Sequence, residues 1–335
     1  MIVHIGRHAM PMLLATLLLA ACGGGGNGTA SSTTDSSASN AAAASQTTPA
    51  TTATTEAGAP ALTGDTATDG YNWFNFRRQQ LGLAAFSRNA KIDSAALGHS
   101  NYQKVNNVIT HEQTPGLPAF TGRYVNDRLV AAGFTLPSDN YAYGEVISST
   151  SDTSGVKAAE DLIAAIYHRF LIFEPMFKQA GSGAATVNNG LTYFTTNFAT
   201  IGLNGGLASG TVVTYPFNGQ QRVPLNFFSD NESPDPVASR NEVGYPISVH
   251  ANITGSVRVT SFTVSPRGGS ALPAQLLVGV ANSQVSGQTV DVHTPTSAAA
   301  IIPLDRLAAG TTYDVQFRGI VDGTSVTRNW SFTTQ

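Results

Sequence analysis

The chain has a single cysteine, Cys22, in 335 residues. That excludes a disulfide framework and any zinc module built from several cysteines. Charge is scarce too: 12% of residues are Asp, Glu, Lys or Arg, and the formal net charge is −3. No basic block is longer than Arg77-Arg78, so neither nucleic acid nor an anionic membrane surface is an expected partner. No apolar run reaches the roughly 20 residues that a bilayer-spanning helix needs. Catalytic signatures are missing as well. His111-Glu112 is followed by Gln113-Thr114-Pro115 rather than completing His-Glu-x-x-His, and no Gly-x-Ser-x-Gly elbow occurs. The glycines at 23–26 precede no helix, so they form no phosphate-cradling loop.

What is present begins with a leader. Residues 1–21 carry Arg7 between His4 and His8, then an apolar run from Met10 to Ala21, the size of a secretory h-region. The run closes with Leu19-Ala20-Ala21-Cys22, which resembles a bacterial lipobox, where small residues fit the signal peptidase and the cysteine is acylated. The resemblance implies membrane attachment through an acylated Cys22. Gly23 rather than Asp after the cysteine implies the outer membrane of a Gram-negative bacterium. An ordinary signal peptide that happens to end in cysteine is the alternative. Residues 22–69 are Gly, Ser, Thr and Ala with almost no large apolar side chain, a composition expected of a disordered tether.

From residue 70 to 207 the pattern is helical and then hairpin-like. Tyr71, Phe74, Arg78 and Leu81 mark a first helix with Asp69 as its expected cap. A second helix is expected over 89–105 and a third over 122–132, ended by Gly133. An extended run over 141–147 follows. Ser154 starts a fourth helix, in which Leu162, Ile163, Ile166, Phe170 and Phe173 recur in steps of three and four until Pro175 ends it. In one continuous helix His168 lies about 200° from Ile166 and shares a second face with Asp161. Runs over 181–187 and 191–198 flank Asn188-Asn189-Gly190, a strong hairpin signal.

From residue 208 to 335 the texture is that of strands alone. Short alternating runs over 212–215, 247–253, 257–264, 275–280, 288–293, 313–319 and 327–333 are divided by Gly, Pro, Ser and Asn, as in a β-sandwich. The boundary is placed in Asn204-Gly205-Gly206.

Read together, residues 71–203 resemble the bacterial branch of the CAP superfamily (SCP-like, cysteine-rich secretory protein-like). The matching pieces are Asn75-x-x-Arg78 with Leu81-Gly82-Leu83, Ala96-x-x-His99-Ser100, His111, Arg128-x-x-x-Ala132-Gly133-Phe134, Gly144-Glu145, His168-Arg169 with Phe173-Glu174-Pro175, and Gly181-x-Gly183 with Tyr193 and Phe198. The implied fold is α+β, an α-β-α sandwich. Tyr215-Pro216-x-x-Gly219, Ala309-Gly310-Thr311-Thr312-Tyr313 and Trp330-Ser331-Phe332-Thr333-Thr334 resemble immunoglobulin-like modules, so an all-β immunoglobulin-like sandwich is expected to follow. Departures gather near the family's cleft: Val146 replaces the Asn of Gly-Glu-Asn, Ala165-Ile166-Tyr167 replaces Ser-Pro-Gly, and no histidine falls within 177–181.

The resemblance places His111, Glu145 and His168 in that cleft. Two imidazoles and a carboxylate suit a divalent cation such as zinc with a water in the remaining position, or a general acid/base pair. Plainer readings stand beside these. His168 is then a helix-surface histidine bonded to a neighbouring carboxylate or carbonyl, and Glu145 a buried anchor for backbone N–H groups or Arg128. His99, His250 and His293 are expected to be structural, and Asp161 solvated. The preferred function is an envelope-anchored binding module for a lipid, glycan or peptide. A metal-dependent hydrolase or protease and a structural adhesin are the alternatives.

Overall fold

The computed structural model describes residues 2–6, 56–188, 190–238, 240–283 and 289–335. The lipobox and residues 22–55 of the expected tether lie outside them. The first part of the chain forms β1 (Ile2–Gly6), α1 (Thr66–Gln80), β2 (Ser87–Arg88), α2 (Ala90–Asn106), α3 (Val125–Ala131), β3 (Tyr141–Thr150), α4 (Gly155–Ala164), α5 (Ile166–Ile172), β4 (Gln179–Thr186) and β5 (Thr192–Ile201). One sheet runs β1-β3-β5-β4-β2, antiparallel except for the β2–β4 pair. Side chains alternate across it. Phe194 and Phe198 pack with Phe74 of α1 and Leu162 of α4 on one face, while Tyr143 and Ala199 meet Ile92, Val125 and Leu129 of α2 and α3 on the other. The layers are therefore helix, sheet, helix.

Helix α1 starts at Thr66, earlier than the spacing of its large apolar residues predicts. Asp65, not Asp69, is the N-cap, accepting from Thr68 N at 2.7 Å. Asp69 sits in the first turn and folds the preceding loop onto the helix, accepting from Thr63 N (2.8 Å) and Gly64 N (3.1 Å). Glu56 reaches Arg77 Nη1 at 2.6 Å and Gln80 Nε2 at 2.7 Å. Of the residues that read as tether by composition, 56–65 are thus clamped onto α1 and 66–69 form its first turn. Their short polar side chains serve as caps and clamps rather than as a solvated spacer.

The glycines of the expected hairpin have a steric reason. A Cβ on Gly181 would lie 2.2 Å from Asp93 N, and one on Gly183 2.2 Å from Leu97 N. Their absence lets α2 lie directly on β4.

The stretch expected as one helix through Pro175 is two. Ala165 has extended angles (φ −69°, ψ 113°) and separates α4 from α5. Such a break orphans carbonyls on one side and N–H groups on the other. Arg169 Nε donates to Ile163 O at 2.5 Å, and the Glu232 carboxylate accepts from Ile166 N and Tyr167 N, both at 2.8 Å. The apolar spacing persists across the break, which is why periodicity does not reveal it. Asp161 is paired with Lys157 at 2.6 Å and takes no part with His168.

The second part comprises β6 (Val213–Tyr215), β7 (Asn226–Phe228), β8 (Glu242–Gly244), β9 (Ile247–His250), β10 (Val257–Pro266), β11 (Ala274–Val278), β12 (Ala298–Pro303), β13 (Thr312–Val321) and β14 (Thr324–Thr333). A four-stranded sheet runs β11-β12-β9-β6, a three-stranded sheet β10-β13-β14, and β7–β8 form a ribbon. All their pairings are antiparallel. The strand expected over 288–293 is absent from its described residues. Asp291 instead turns the chain, accepting from His293 N at 3.0 Å and Thr294 Oγ1 at 2.5 Å. The strand nearby is β12, every residue of which is buried. A central strand of that kind reads as a continuous apolar run, without the alternation that marks a half-exposed one.

One apolar cluster contains both Phe74 and Phe198 of the first part and Phe317 and Trp330 of the second. A second cluster sets Ile166, Tyr167 and Phe170 of α5 against Phe227, Val243, Ala300 and Ile302. Arg169 is fully buried there, donating to Pro246 O at 2.7 Å and stacked over Tyr215 and Tyr245. The core runs across the expected boundary at 207/208 without interruption.

Candidate functional site: two histidines, each backed by a buried carboxylate

Glu145 lies on β3, with its side chain on the face toward α2 and α3. It is fully buried, and both oxygens are committed: Oε1 to His111 Nδ1 at 2.9 Å and Oε2 to Arg128 Nη2 at 2.7 Å. Arg128, 1% exposed on α3, also donates from Nη1 to His111 O (3.0 Å) and Arg123 O (3.1 Å). One guanidinium therefore fixes both the carboxylate and the backbone of the loop that carries His111. Burial alone would raise the Glu145 pKa, but Arg128, His99 and His111 outweigh it and hold the carboxyl down at about 2. It is ionised at neutral pH and accepts the Nδ1–H of His111. Burial pushes the His111 pKa down, Glu145 works against this, and a charge on nearby His168 would lower it further.

His99 is buried as expected of a structural residue. Gln113 Nε2 donates to its Nδ1 at 3.0 Å, so the proton sits on Nε2, which donates to Thr110 O at 2.7 Å. Burial drives its pKa down to about 4. It lies 3.8 Å from Glu145 Oε1, as a neutral ring lining the carboxylate.

His168 stands in the first turn of α5. Its Nδ1 is 2.9 Å from Glu232 Oε1, and the Glu232 carboxylate also accepts from the backbone N–H groups of that turn. Glu232 is fully buried and comes from the segment between β7 and β8. With so many donors on it, Glu232 acts as acceptor, and His168 carries its proton on Nδ1. Both site histidines thus have Nδ1–H turned to a buried carboxylate, which leaves Nε2 as the basic nitrogen of each ring. Their side chains remain partly accessible, 22% for His111 and 12% for His168.

The sequence therefore brings His111 and Glu145 together and sets His168 nearby, but supplies His168 with a different carboxylate from the expected one. Among the described residues no group of three or more His, Cys, Asp or Glu side chains is arranged to hold a metal ion. The trio His111, Glu145 and His168 does not fit zinc as a ligand set, because both oxygens of Glu145 are held by Arg128 and His111. His250 is buried on β9, with Nε2 2.8 Å from Ser248 Oγ, and burial brings its pKa to about 3. His293 lies in the turn after Asp291, its ring edge-on to Tyr167 at 5.7 Å.

Sequence reasoning missed Glu232. It lies between Asp230 and Asp235, after Phe227-Phe228, with no spacing that ties it to His168. Open hollows lie elsewhere. One of about 340 Å³ is lined by Ser151, Thr153, Thr186 and Leu191, and one of about 310 Å³ by Gly58, Asn72, Asn75 and Gln79.

No curated protein matches this chain. Among solved structures, an extracellular protein containing an SCP domain from Bacillus anthracis aligns at 23% identity, over 40% of this chain and 39% of its own, with a TM-score of 0.33. The present chain thus spans about two fifths of that protein's length. An outer surface protein from Borrelia burgdorferi aligns at 13% identity over 39% of this chain and 89% of its own (TM-score 0.33). A venom allergen-like protein from Schistosoma mansoni aligns at 9% identity over 43% and 96% (TM-score 0.30). Residues 71–198, which contain His111, Glu145 and His168, match the family described as CAP, the cysteine-rich secretory protein family.

Proposed function

We propose that this chain is a cell-envelope-anchored CAP-domain protein that binds a lipid, glycan or peptide at the bacterial surface. In this reading the leader ends before Cys22, the cysteine carries the lipid, and the anchor holds the protein at the outer membrane. No helix among the described residues is long and apolar enough to cross a membrane. We assign the second part to the immunoglobulin-like sandwiches. Its sheet orders, β6-β9-β12-β11 and β10-β13-β14, correspond to the four-plus-three strand arrangement of constant-type domains. Tyr313, at the start of β13, accepts from Ala308 N at 2.8 Å, as a tyrosine corner does.

The observation that carries binding over catalysis is the commitment of Glu145. A general acid or base must reach the proton it transfers. Glu145 is fully buried and has both oxygens occupied by Arg128 and His111, so it organises the site rather than acting on a substrate. One observation favours hydrolysis instead: a carboxylate-backed imidazole is a suitable general base.

The test is retention of the purified protein on peptidoglycan sacculi and on phosphatidylethanolamine–phosphatidylglycerol vesicles, with His111→Ala and His168→Ala beside the parent. Binding by the parent that both variants keep within about threefold, a difference under 1 kcal/mol, supports the module. Release of soluble fragments from the sacculi, abolished by either variant, would replace it with the hydrolase.

A further inference from the structure

The three-stranded sheet β10-β13-β14 turns Val259, Val264, Phe317 and Trp330 into the core, so alternate residues of each strand face solvent. Register orders that outer face in rows across the strands. Arg258 stands opposite Ile320 in one row. The next row is Ser261, Arg318 and Thr327, and beyond it Gln316 stands opposite Asn329. Arg258 and Arg318 are far apart in sequence, yet they are diagonal neighbours on adjacent strands, within reach of one extended ligand.

Both guanidiniums are exposed. Among the described residues, the ion pairs of the second part engage Arg240, Arg267 and Arg306, and neither Arg258 nor Arg318 takes part in one. The acid on this face, Asp314, is held by Arg267 at 2.7 Å. The face is therefore positive on a chain whose formal net charge is −3. Neutral donors and acceptors surround the arginines, with Gln316 Nε2 donating to Asn329 Oδ1 at 3.2 Å. The aromatic rings of the sheet, Phe262, Phe317 and Trp330, pack together on its inner side.

We propose that this face is a docking surface for an acidic polysaccharide, whose carboxylates pair with Arg258 and Arg318 and whose hydroxyls meet the surrounding hydroxyl and amide side chains. The inference rests on the binding-module reading and narrows its ligand to a glycan that bears acid groups. It uses neither histidine of the cleft. Charge complementarity names the occupant. A guanidinium is a planar fork that matches a carboxylate with two parallel hydrogen bonds. Two such forks set among neutral polar groups fit acids spaced along a hydroxyl-rich chain. A lipid surface would need apolar side chains to bury, and the large apolar residue of this face, Ile320, is already half-buried. A nucleic acid would need a denser basic stripe.

The probe is polygalacturonate, with its methyl ester as the uncharged control, titrated into the full-length protein in detergent micelles and read by calorimetry. The acid form is expected to bind at least about tenfold more tightly than the ester, and more weakly as salt rises. Arg258→Gln or Arg318→Gln alone should lower affinity about threefold, and the two together about tenfold or more. Arg328→Gln is the control. Arg328 is equally exposed, but register sets it opposite Phe317, on the inward side of the edge strand. Its loss removes a charge and should leave binding within about twofold. Absence of polygalacturonate binding, a loss as large with Arg328→Gln, or a double variant that binds like the parent would overturn the proposal. Binding to phosphatidylglycerol vesicles in place of polygalacturonate would also overturn it and make the face a lipid contact. Retention on sacculi, measured on the same preparation, separates the failures. If parent and double variant are retained equally while polygalacturonate fails, the sheet face falls and the binding module stands.

Discussion

Glu232 and His168 are separated by 64 residues and by the change from helices to strands, yet Oε1 of one lies 2.9 Å from Nδ1 of the other. The same carboxylate closes the first turn of α5 through Ile166 N and Tyr167 N. It therefore does two things: it satisfies the N–H groups that the break at Ala165 orphans, and it sets the tautomer of His168. Replacing it by alanine removes both. Glu232→Ala is expected to cost about 3 kcal/mol, the scale for breaking a buried charged pair, against a smaller loss for Glu232→Gln, which keeps an acceptor oxygen. Urea unfolding gives the stabilities. Nitrogen-15 shifts of the His168 ring report the tautomer, which should become mixed in the alanine variant.

Stability should depend on pH through buried groups of opposite sign. Burial lowers the pKa of His99 to about 4 and of His250 to about 3, from 6.5. The unfolded chain takes up these protons first, so stability falls as pH drops below 6.5. Glu145, held at about 2 against an ordinary 4.5, adds a further loss below pH 4.5. Glu174 works the other way. Burial raises its pKa from 4.5 to about 8, so its contribution is full below pH 4.5 and is lost as pH rises to about 8. Between pH 6.5 and 8 Glu174 governs the slope, at most about 1.4 kcal/mol per pH unit for one proton. Glu174→Gln should flatten that segment, and His250→Asn should shallow the acid limb. Urea midpoints taken across pH 4–9 test both.

The helix pair α1 and α4 crosses on glycine. A Cβ at Gly155 would lie 2.1 Å from Thr66 O and 2.6 Å from Gly70 N, backbone atoms that cannot swing aside. Gly155→Ala is expected to destabilise by about 2 kcal/mol or more, the scale of overpacking a close contact. Gly82→Ala gives a contrast: nothing lies near its Cβ, and the cost is only that of φ +73°. Thermal unfolding of the two variants should rank them in that order.

Membrane attachment has a direct check. Cys22→Ser removes the thiol that an acyl chain requires, so incorporation of labelled palmitate should vanish and the protein should leave the membrane pellet. Labelling that survives the substitution would refute the lipid anchor at this position.

Much of the fold was legible because local chemistry and tertiary contacts agree. Asn75-x-x-Arg78 is a pair of clamps one helical turn apart: Asn75 Oδ1 takes Phe86 N at 2.7 Å, and Arg78 Nη1 reaches Ile172 O and Glu174 O at 2.8 and 2.9 Å. Asn-Gly at 189–190 lies between strands paired up to Thr186↔Thr192. Arg128 anchors Glu145, one of the plainer readings open at the start. What stayed hidden depends on partners distant in sequence. The break at Ala165 is invisible to periodicity because Arg169 and Glu232 satisfy it from outside the local pattern. Glu232 had no spacing to announce it. The strand β12 carries no alternation to mark it, because every one of its residues is buried.

The shared core has a practical meaning for how the protein is handled. Residues 71–198 are what the family match delimits, but the cooperative unit is larger. A fragment ending at 207 would bare Ile166, Tyr167 and Phe170, strip the acid from the first turn of α5, and leave the Arg169 guanidinium without Pro246 O. Such a piece would expose a contiguous greasy face with a stranded charge inside it, the recipe for inclusion bodies. Expression boundaries should therefore follow the packing and keep the chain intact from Glu56 to its last strand.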